Sequence, residues 1–524
     1  MQIRCRAYTL ALVLIGCFLN PSRITAITAC GVCESCSATR NPYFGDLHVH
    51  TSYSQDAFDF GTRNDPVAAY LFARGTTIPL TGGQTATIDR PLDFMAVTDH
   101  AESLDSTDWS NIQSAAATAY EPCAFTSFNG YEWTGGISTF GSKTAPAFIH
   151  RNVIFSGETV PTTAFSRNTH KKVESLWSAL EAECQAPSCE AITIPHNANA
   201  SKGKMFAVES MPTADAARRA KLERLSELFQ VQGNSECVNL YQPGEPGYDP
   251  QCSFEHVAGL NTATDAPGYV RAGLGKGLLY YGSTGINPVE VGLIGSTDTH
   301  NGTPGMVRES TWQGAIGTRD DTASGRLLVQ QYRNPGGLAV AWATENTREA
   351  LFEAYKRREV YGTSGPRMIV SFYQTWSQDE FCGATDTASF RAAIDAQGVP
   401  MGGRMDGTQG TQPRFMVYAT GDLVNLKEVA IIKGSAVAGA VAERVVVHPA
   451  QDSVNGDGTI CWTWTDEDFD PGAAAFYYAR VLEVPTWRWY HYDCAVDPFK
   501  KCKPQFDVMI QERAWTSPIW NLPL

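Results

Sequence analysis

The sequence predicts an α/β barrel followed by a β-rich C-terminal domain. Three observations carry that reading. From residue 41 to about residue 300, short apolar runs alternate with amphipathic stretches. Histidines and acids fall beside the ends of those runs. Beyond residue 365 the texture changes to short β-type runs separated by Gly, Asp and Pro. A chain of 524 residues is long enough for two domains with a large core.

The N-terminus reads as an export signal over residues 1–29. MQIRCR is a short basic segment, and AYTLALVLIG is an apolar stretch too short for a permanent bilayer anchor. Leu14-Ile15-Gly16-Cys17 resembles a lipoprotein box, which would place a lipid anchor on Cys17. Ile27-Thr28-Ala29-Cys30 fits a box anchored at Cys30, and equally fits ordinary cleavage after Ala29; ordinary export is favoured. No later stretch predicts a transmembrane segment. The chain has 14 cysteines, two of them in the signal, and the even remainder suits disulfides in an oxidising compartment. Expected local pairs are Cys184 with Cys189, Cys237 with Cys252, and Cys494 with Cys502. Cys30, Cys33 and Cys36 mimic a zinc site but lack a fourth ligand nearby, so they are read as disulfide-bonded.

The barrel is expected over residues 30–365. Its strands are predicted at residues 92–97, 124–128, 153–155, 191–194, 228–231 and 289–294, each short and apolar, as strands buried on both faces are. Asn64-Asp65-Pro66 caps the helix VAAYLFAR, with proline at its first position. KKVESLWSALEAE puts Val173, Leu176, Trp177 and Leu180 on one stripe. ADAARRAKLERLSELF is strongly amphipathic, and ENTREALFEAYKRREVYGTSGPR reads as a capped helix running into a turn. Strand–helix alternation predicts a parallel sheet, closed rather than open. No glycine-rich phosphate fingerprint follows the first strand, which disfavours a dinucleotide fold. Over residues 366–524, MIVSFYQ, RFMVYAT, LKEVAIIKG, RVVVHP, ICWTWT and AFYYARVLEV predict a β-rich, sandwich-like domain packed on the barrel.

The chemistry lies in the segments GDLHVHTSYSQD (His48, His50), DFMAVTDHAE (His100), FNGYEWTG (Glu132), HRNVIF (His150), AITIPHN (His196) and VGLIGSTDTH (Asp298, His300). In a parallel barrel the loops at the carboxyl ends of the strands build the site. His48 and His50 are two apart, so in an extended segment they point the same way, and Asp298 with His300 is expected to repeat that geometry. Imidazole with carboxylate suits zinc, manganese or iron, and mixed ligation leaves positions open for water. Such sites activate water for hydrolysis. His170, His256 and His448 lie outside these contexts and are read as structural or exposed. The net charge of -14 argues against a nucleic-acid partner but not against a small anionic substrate.

The order of these motifs resembles the PHP superfamily, named for polymerase and histidinol phosphatase, over about residues 41–305. His48-x-His50 looks like its first motif, Asp99-His100 its second, and Asp298-Thr299-His300 its closing one. Glu132 is similar to the acid that bridges metals. The resemblance implies a distorted (β/α)7 PHP-type barrel with two or three divalent metal ions. The implied ligands are His48, His50, Asp56, His100, Glu132, His150, His196, Asp298 and His300. By that pattern one metal takes His48, His50, Glu132 and Asp298. A second takes Glu132, His150 and His196, and a third Asp56, His100 and His300. Asp99 would orient His100, or cap its loop. The signal, HNANASKGKMF, VYGTSGPR and a tail ending AWTSPIW resemble more narrowly an exported bacterial PHP-type family of unknown function. That implies the periplasm or cell envelope and makes a role in histidine synthesis doubtful.

The leading expectation is a metal-dependent phosphoesterase with Glu132, Asp298 and Arg151 at the reacting centre. Arg151, Lys202 and Lys204 are the candidates for holding a substrate anion. Glu236, past a strand, faces either the cleft or the surface, and Trp133 is read as packing. Hydrolysis of an amide, a carboxylic ester or a sulfate ester, or non-catalytic metal binding, are the rival readings. Oligomeric state is not legible.

Overall fold

Runs that are apolar on both faces become strands buried on both faces. The computed structural model describes residues 31–137, 147–184, 189–245, 248–256, 262–329, 333–497 and 508–523. The expected signal and the boxes at Cys17 and Cys30 lie outside them. The main strands of the first part are β1 (Asn41–Asp46), β2 (Phe94–Ala96), β3 (Thr126–Phe128), β4 (Gly130–Trp133), β5 (Arg151–Phe155), β6 (Ala191–Pro195), β7 (Leu225–Gln230), β8 (Gly292–Gly295), β9 (Leu338–Ala343) and β10 (Val360–Thr363). The architecture is mixed α/β, with its strands divided among several sheets.

β1, β2 and β3 are parallel neighbours, as are β7 and β8. β5 departs from the expected parallel sheet: it runs antiparallel to both β4 and β6. The reason is local. No helix signal separates Trp133 from Arg151, and the short antiparallel pair Gly136–Ile137 and Ala147–Phe148 turns the chain straight back. β1 also pairs antiparallel with β9. Backbone bonds tie the strand ends together. His50 N donates to Thr299 O (2.8 Å) and Asp298 N to His48 O (3.0 Å), joining the end of β1 to that of β8. Glu132 N donates to Asp99 O (3.0 Å) and Ala101 N to Glu132 O (2.8 Å), joining β2 to β4. β8 lies so close over β10 that glycine is required at both contacts. A Cβ on Gly295 would meet Thr363 O at 2.6 Å, and one on Gly362 would meet Gly295 N at 2.5 Å.

The helix Pro66–Ala73 starts as read, with the Asp65 side chain accepting from Ala68 N. Val173–Glu183 buries Leu176, Trp177 and Leu180. Arg348–Arg357 is capped by Thr347. The stretch ADAARRAKLERLSELF is not one helix. It is helical over Thr213–Leu222 and then becomes β7, all of whose residues are buried. Burial beside β8 overrides helical periodicity there.

The C-terminal strands are β11 (Ile369–Thr375), β12 (Arg414–Thr420), β13 (Leu426–Val437), β14 (Ala440–Pro449), β15 (Thr459–Thr465), β16 (Ala475–Glu483), β17 (Arg513–Thr516) and β18 (Ile519–Asn521). β11, β12 and β15 form one antiparallel sheet. β13, β14, β16, β17 and β18 form part of another. The two sheets meet where Phe415 stacks on Tyr477 at 4.1 Å. β17 pairs with both β10 and β16, so this second sheet is continuous with that of β1. Disulfides join Cys33 to Cys123, Cys184 to Cys189, Cys237 to Cys252 and Cys382 to Cys461. Two of these are expected local pairs. The two long-range bonds were not foreseen, and Cys502 lies outside the described residues. No helix among the described residues is long and apolar enough to cross a membrane.

Candidate metal centre

All nine predicted donors meet where the ends of β1, β2, β4, β6 and β8 adjoin the start of β5. The reversed direction of β5 is what brings His150, which precedes its strand, to the same place as His100, Glu132 and His196, which end or follow theirs. His48, His50, Glu132, His196, Asp298 and His300 are buried; Asp56, His100 and His150 are partly exposed and mark the mouth.

Three groups share members. His48 Nε2 and His50 Nε2 are 3.3 Å apart. Each lies 3.2–3.3 Å from Glu132 Oε2 and from Asp298 Oδ1. Glu132 Oε1 faces His150 Nδ1 at 2.6 Å and His196 Nε2 at 3.4 Å. Asp56 Oδ2 faces His300 Nε2 at 3.0 Å and His100 Nε2 at 3.3 Å, with His50 in reach of that group. Neighbouring donors on an ion with bonds of about 2.0–2.2 Å stand roughly 3 Å apart, which is the spacing seen. Glu132 Oε1 is buried and receives no well-aligned hydrogen bond although imidazole nitrogens of His100, His150 and His196 surround it, and such an atom needs something positive beside it. The donor set and the orphaned oxygen fit divalent cations.

Outer partners fix the rings. His48 Nδ1 donates to Glu227 Oε2 (3.1 Å), so its Nε2 lone pair faces the centre. His50 Nδ1 donates to Ser54 Oγ (2.8 Å), and Ser54 in turn donates to Asp99 (2.8 Å). Asp99 therefore steers His50 through Ser54; the expectation that it orients the His100 ring is corrected, since Thr134 Oγ1 holds that ring's Nδ1 (2.8 Å). His300 Nδ1 donates to Asp298 O (3.1 Å), and Gln232 Nε2 to Asp298 Oδ2 (3.0 Å). Asp298 has a φ of 56°. Asp298 and His300 thus do not repeat the extended geometry of His48 and His50. A left-handed residue, tolerated by aspartate better than by most, turns both inward.

Burial is the largest influence on each group and opposes its charge. Against it, Asp298 and Glu227 hold the His48 ring well above its ordinary value. Hydrogen bonds to Asp298 and Glu132 take His50 up to about 10. His100, His196 and His150 hold Glu132 well below the usual carboxylate range, and His48, His50 and His300 do so for Asp298. Burial and then repulsion from His48 drop His196 to about 3. Burial lifts Glu227 to about 7. Protons alone serve this cluster badly: carboxylates demand positive charge while the rings repel one another. A divalent ion with neutral imidazoles removes the conflict.

Sequence reasoning missed Glu227. Its one signal is an acid inside the buried run LSELFQ, masked there by helical periodicity. Glu227→Gln is expected to weaken metal binding ~10- to 100-fold, as loss of an outer carboxylate partner does; metal-competition titration against a chromophoric chelator checks this. Other candidates are not brought to the cluster. Arg151 is buried and donates to Glu223 Oε1 (2.9 Å) and to Ile149 O. Lys202 pairs with Asp265 (2.9 Å), and Lys204 is exposed. Glu236 faces neither cleft nor surface: it is buried among Arg271, Arg480, Tyr478 and Trp515. Trp133 is fully buried and donates to His170 O. Cys237, Asp249 and Cys252 lie close together, but both sulfurs are spent in a disulfide.

A solved two-domain protein from Bacteroides vulgatus ATCC 8482, described as containing a predicted PHP-like metal-dependent phosphoesterase, is similar at 9% identity and a TM-score of 0.33. The match covers 84% of this chain and 90% of that one. No curated protein matches the chain in sequence. The family described as "Protein of unknown function (DUF3604)" matches over residues 37–108, 102–453 and 449–523. The match spans nearly all of the chain beyond its first 36 residues, and the chain belongs to the DUF3604 family.

Proposed function

We propose that the protein is an exported hydrolase that uses two or three divalent ions to cleave a phosphoester. In this reading β1, β2, β3 with β4, β5, β6, β7 and β8 are the staves of a distorted (β/α)7 barrel spanning residues 30–365, with residues 366–524 as a β-rich second domain. The observation that carries the reading is the convergence of imidazole and carboxylate donors on the two oxygens of Glu132. Divalent ions bound there supply Lewis acidity and water activation near neutral pH. The chain's own part is preorganisation. Glu227 and the Ser54–Asp99 pair keep the Nδ1 protons of His48 and His50 outward, so both Nε2 atoms stay available as donors. Glu132 links the groups of donors, and Gln232 holds the free oxygen of Asp298. The partly exposed side at Asp56, His100 and His150 is where substrate enters.

The test is turnover by the metal-loaded protein on chromogenic phosphate, sulfate and carboxylic esters, with Asp298→Ala and His196→Ala beside it. Phosphoester hydrolysis that both variants lose is the expected result. A fully metallated protein that cleaves none of the panel overturns the proposal.

A further inference from the structure

Arg333 is a partly exposed cation that the preceding account leaves without a task. Its backbone is fixed. Arg333 O accepts from Arg488 Nη2 (3.2 Å) and from Trp489 Nε1 (3.0 Å). The residues after it lie directly on the chain leading into Asp298. Gly337 N donates to Ser296 O (2.8 Å), and Gly336, at a φ of 88°, sits where a Cβ would meet Thr297 Cα at 2.7 Å. This close backbone contact anchors Arg333 beside the Asp298 edge of the cluster, and its charge acts on Asp298 and Asp320.

Its guanidinium has no hydrogen bond and no ion pair with any described residue. Neither nearby acid is free to pair with it. Asp298 is engaged by His48, His50 and Gln232. Asp320 spends both oxygens on Ala315 N and Ile316 N. Among the buried arginines, Arg151, Arg219, Arg271, Arg391 and Arg480 each hold a carboxylate, while Arg513 donates to Gln251. A guanidinium that no carboxylate holds, beside a cluster of this kind, is open to an anion. A second positive charge lies nearby. Arg319 is exposed, stacks over Phe60 at 4.1 Å, and Phe60 lies 6.2 Å from the His300 ring.

We propose that Arg333 is the substrate-binding residue that receives the non-bridging oxygens of a phosphoryl group lodged against the Asp298–His300 edge, with Arg319 as an outer cation. The planar fork of donors suits two oxygens of one phosphoryl group. The pair of arginines makes a doubly charged terminal phosphate ester the preferred substrate class. This deepens the phosphoesterase reading and rests on it.

The test uses the full-length, metal-loaded protein, Arg333→Gln and Arg333→Lys. Bound metal per chain, orthophosphate affinity by titration calorimetry, and turnover of a chromogenic phosphate monoester are measured for each. Arg333→Gln is expected to lose ~10- to 100-fold in orthophosphate affinity, the worth of a charged hydrogen-bond pair, with metal content unchanged and Arg333→Lys intermediate. Equal orthophosphate affinity in the wild-type protein and Arg333→Gln overturns the inference, as does a wild-type protein that binds no orthophosphate at millimolar concentration. Should Arg333→Gln fail to fold, Arg333→Lys decides by the same comparison. Phosphate binding that depends on Arg333 without any turnover upholds this assignment and removes the hydrolase reading. Phosphoester turnover indifferent to Arg333 does the reverse.

Discussion

Glu132→Ala is expected to empty the centre and lower turnover by ~10³-fold or more, well beyond the 10- to 100-fold cost of an outer-shell partner. The reason lies in its position. Its Oε2 faces His48 and His50, and its Oε1 faces His150 and His196. One substitution therefore removes a donor from two of the groups at once. It also leaves buried rings facing one another without an anion between them. Metal analysis of the purified variant should show loss of more than one ion per chain. Glu132→Gln separates charge from shape: it keeps an oxygen in place but cannot carry the negative charge, and is expected to lose nearly as much. An alanine variant that keeps its full complement of metal and its activity would falsify the central role given to Glu132.

The largest effect on stability is expected from Glu236→Ala. Glu236 Oε1 accepts from Arg271 (2.6 Å), Tyr478 (2.6 Å) and Arg480 (3.0 Å), and Oε2 accepts from Trp515 Nε1 (2.7 Å). Asp249 completes the set by pairing with both arginines. These residues come from the loops after β7, from the helix Val270–Thr284, and from β16 and β17, so the network pins the first part of the chain to the last. Removing one partner of a buried ion pair costs about 3–5 kcal/mol, because the remaining charges stay buried. Urea denaturation followed by tryptophan fluorescence reads the shift. Two arginines facing Asp249 alone make a smaller loss than that range hard to accommodate. Acid acts on the same network. Burial pushes both carboxyls up, but Arg480 and Arg271 outweigh it and hold Glu236 and Asp249 below their ordinary values. Carboxyls lowered by folding contribute stability fully above the unfolded-state value of about 4 and lose it as pH falls below that. The wild-type protein should therefore lose more stability than the variant between about pH 4 and more acidic conditions.

Much of this site was legible in the primary structure because donor residues adjoin short apolar runs, and strand ends are where loops carry chemistry. The two-residue spacing of His48 and His50 translates directly into shared direction. Other features have no local signature. Asp298 turns inward through a left-handed backbone that its neighbours do not announce. Glu227 sits in a run whose helical periodicity continues past the point where the helix ends, and only contact with β8 makes it a strand. The reversal of β5 was readable in principle, since no helix signal fills the gap before it. Arg333 stands in a stretch with no motif, and the residues after it, Gly336 and Gly337, meet Thr297 and Ser296, which are distant in sequence.

The placement of β17 has a consequence for how the molecule is made. This strand, near the end of the polypeptide, lies between β10 and β16, while β1 near the start waits for β9. Synthesis proceeds from one end, but the sheet is finished only when its final staple arrives. Until then the flanking strands carry open backbone edges of the kind that recruit other chains. Pairings between such remote stretches also form slowly. The first and last parts of the described chain therefore share one sheet, and β10 gains its second neighbour only when β17 pairs with it.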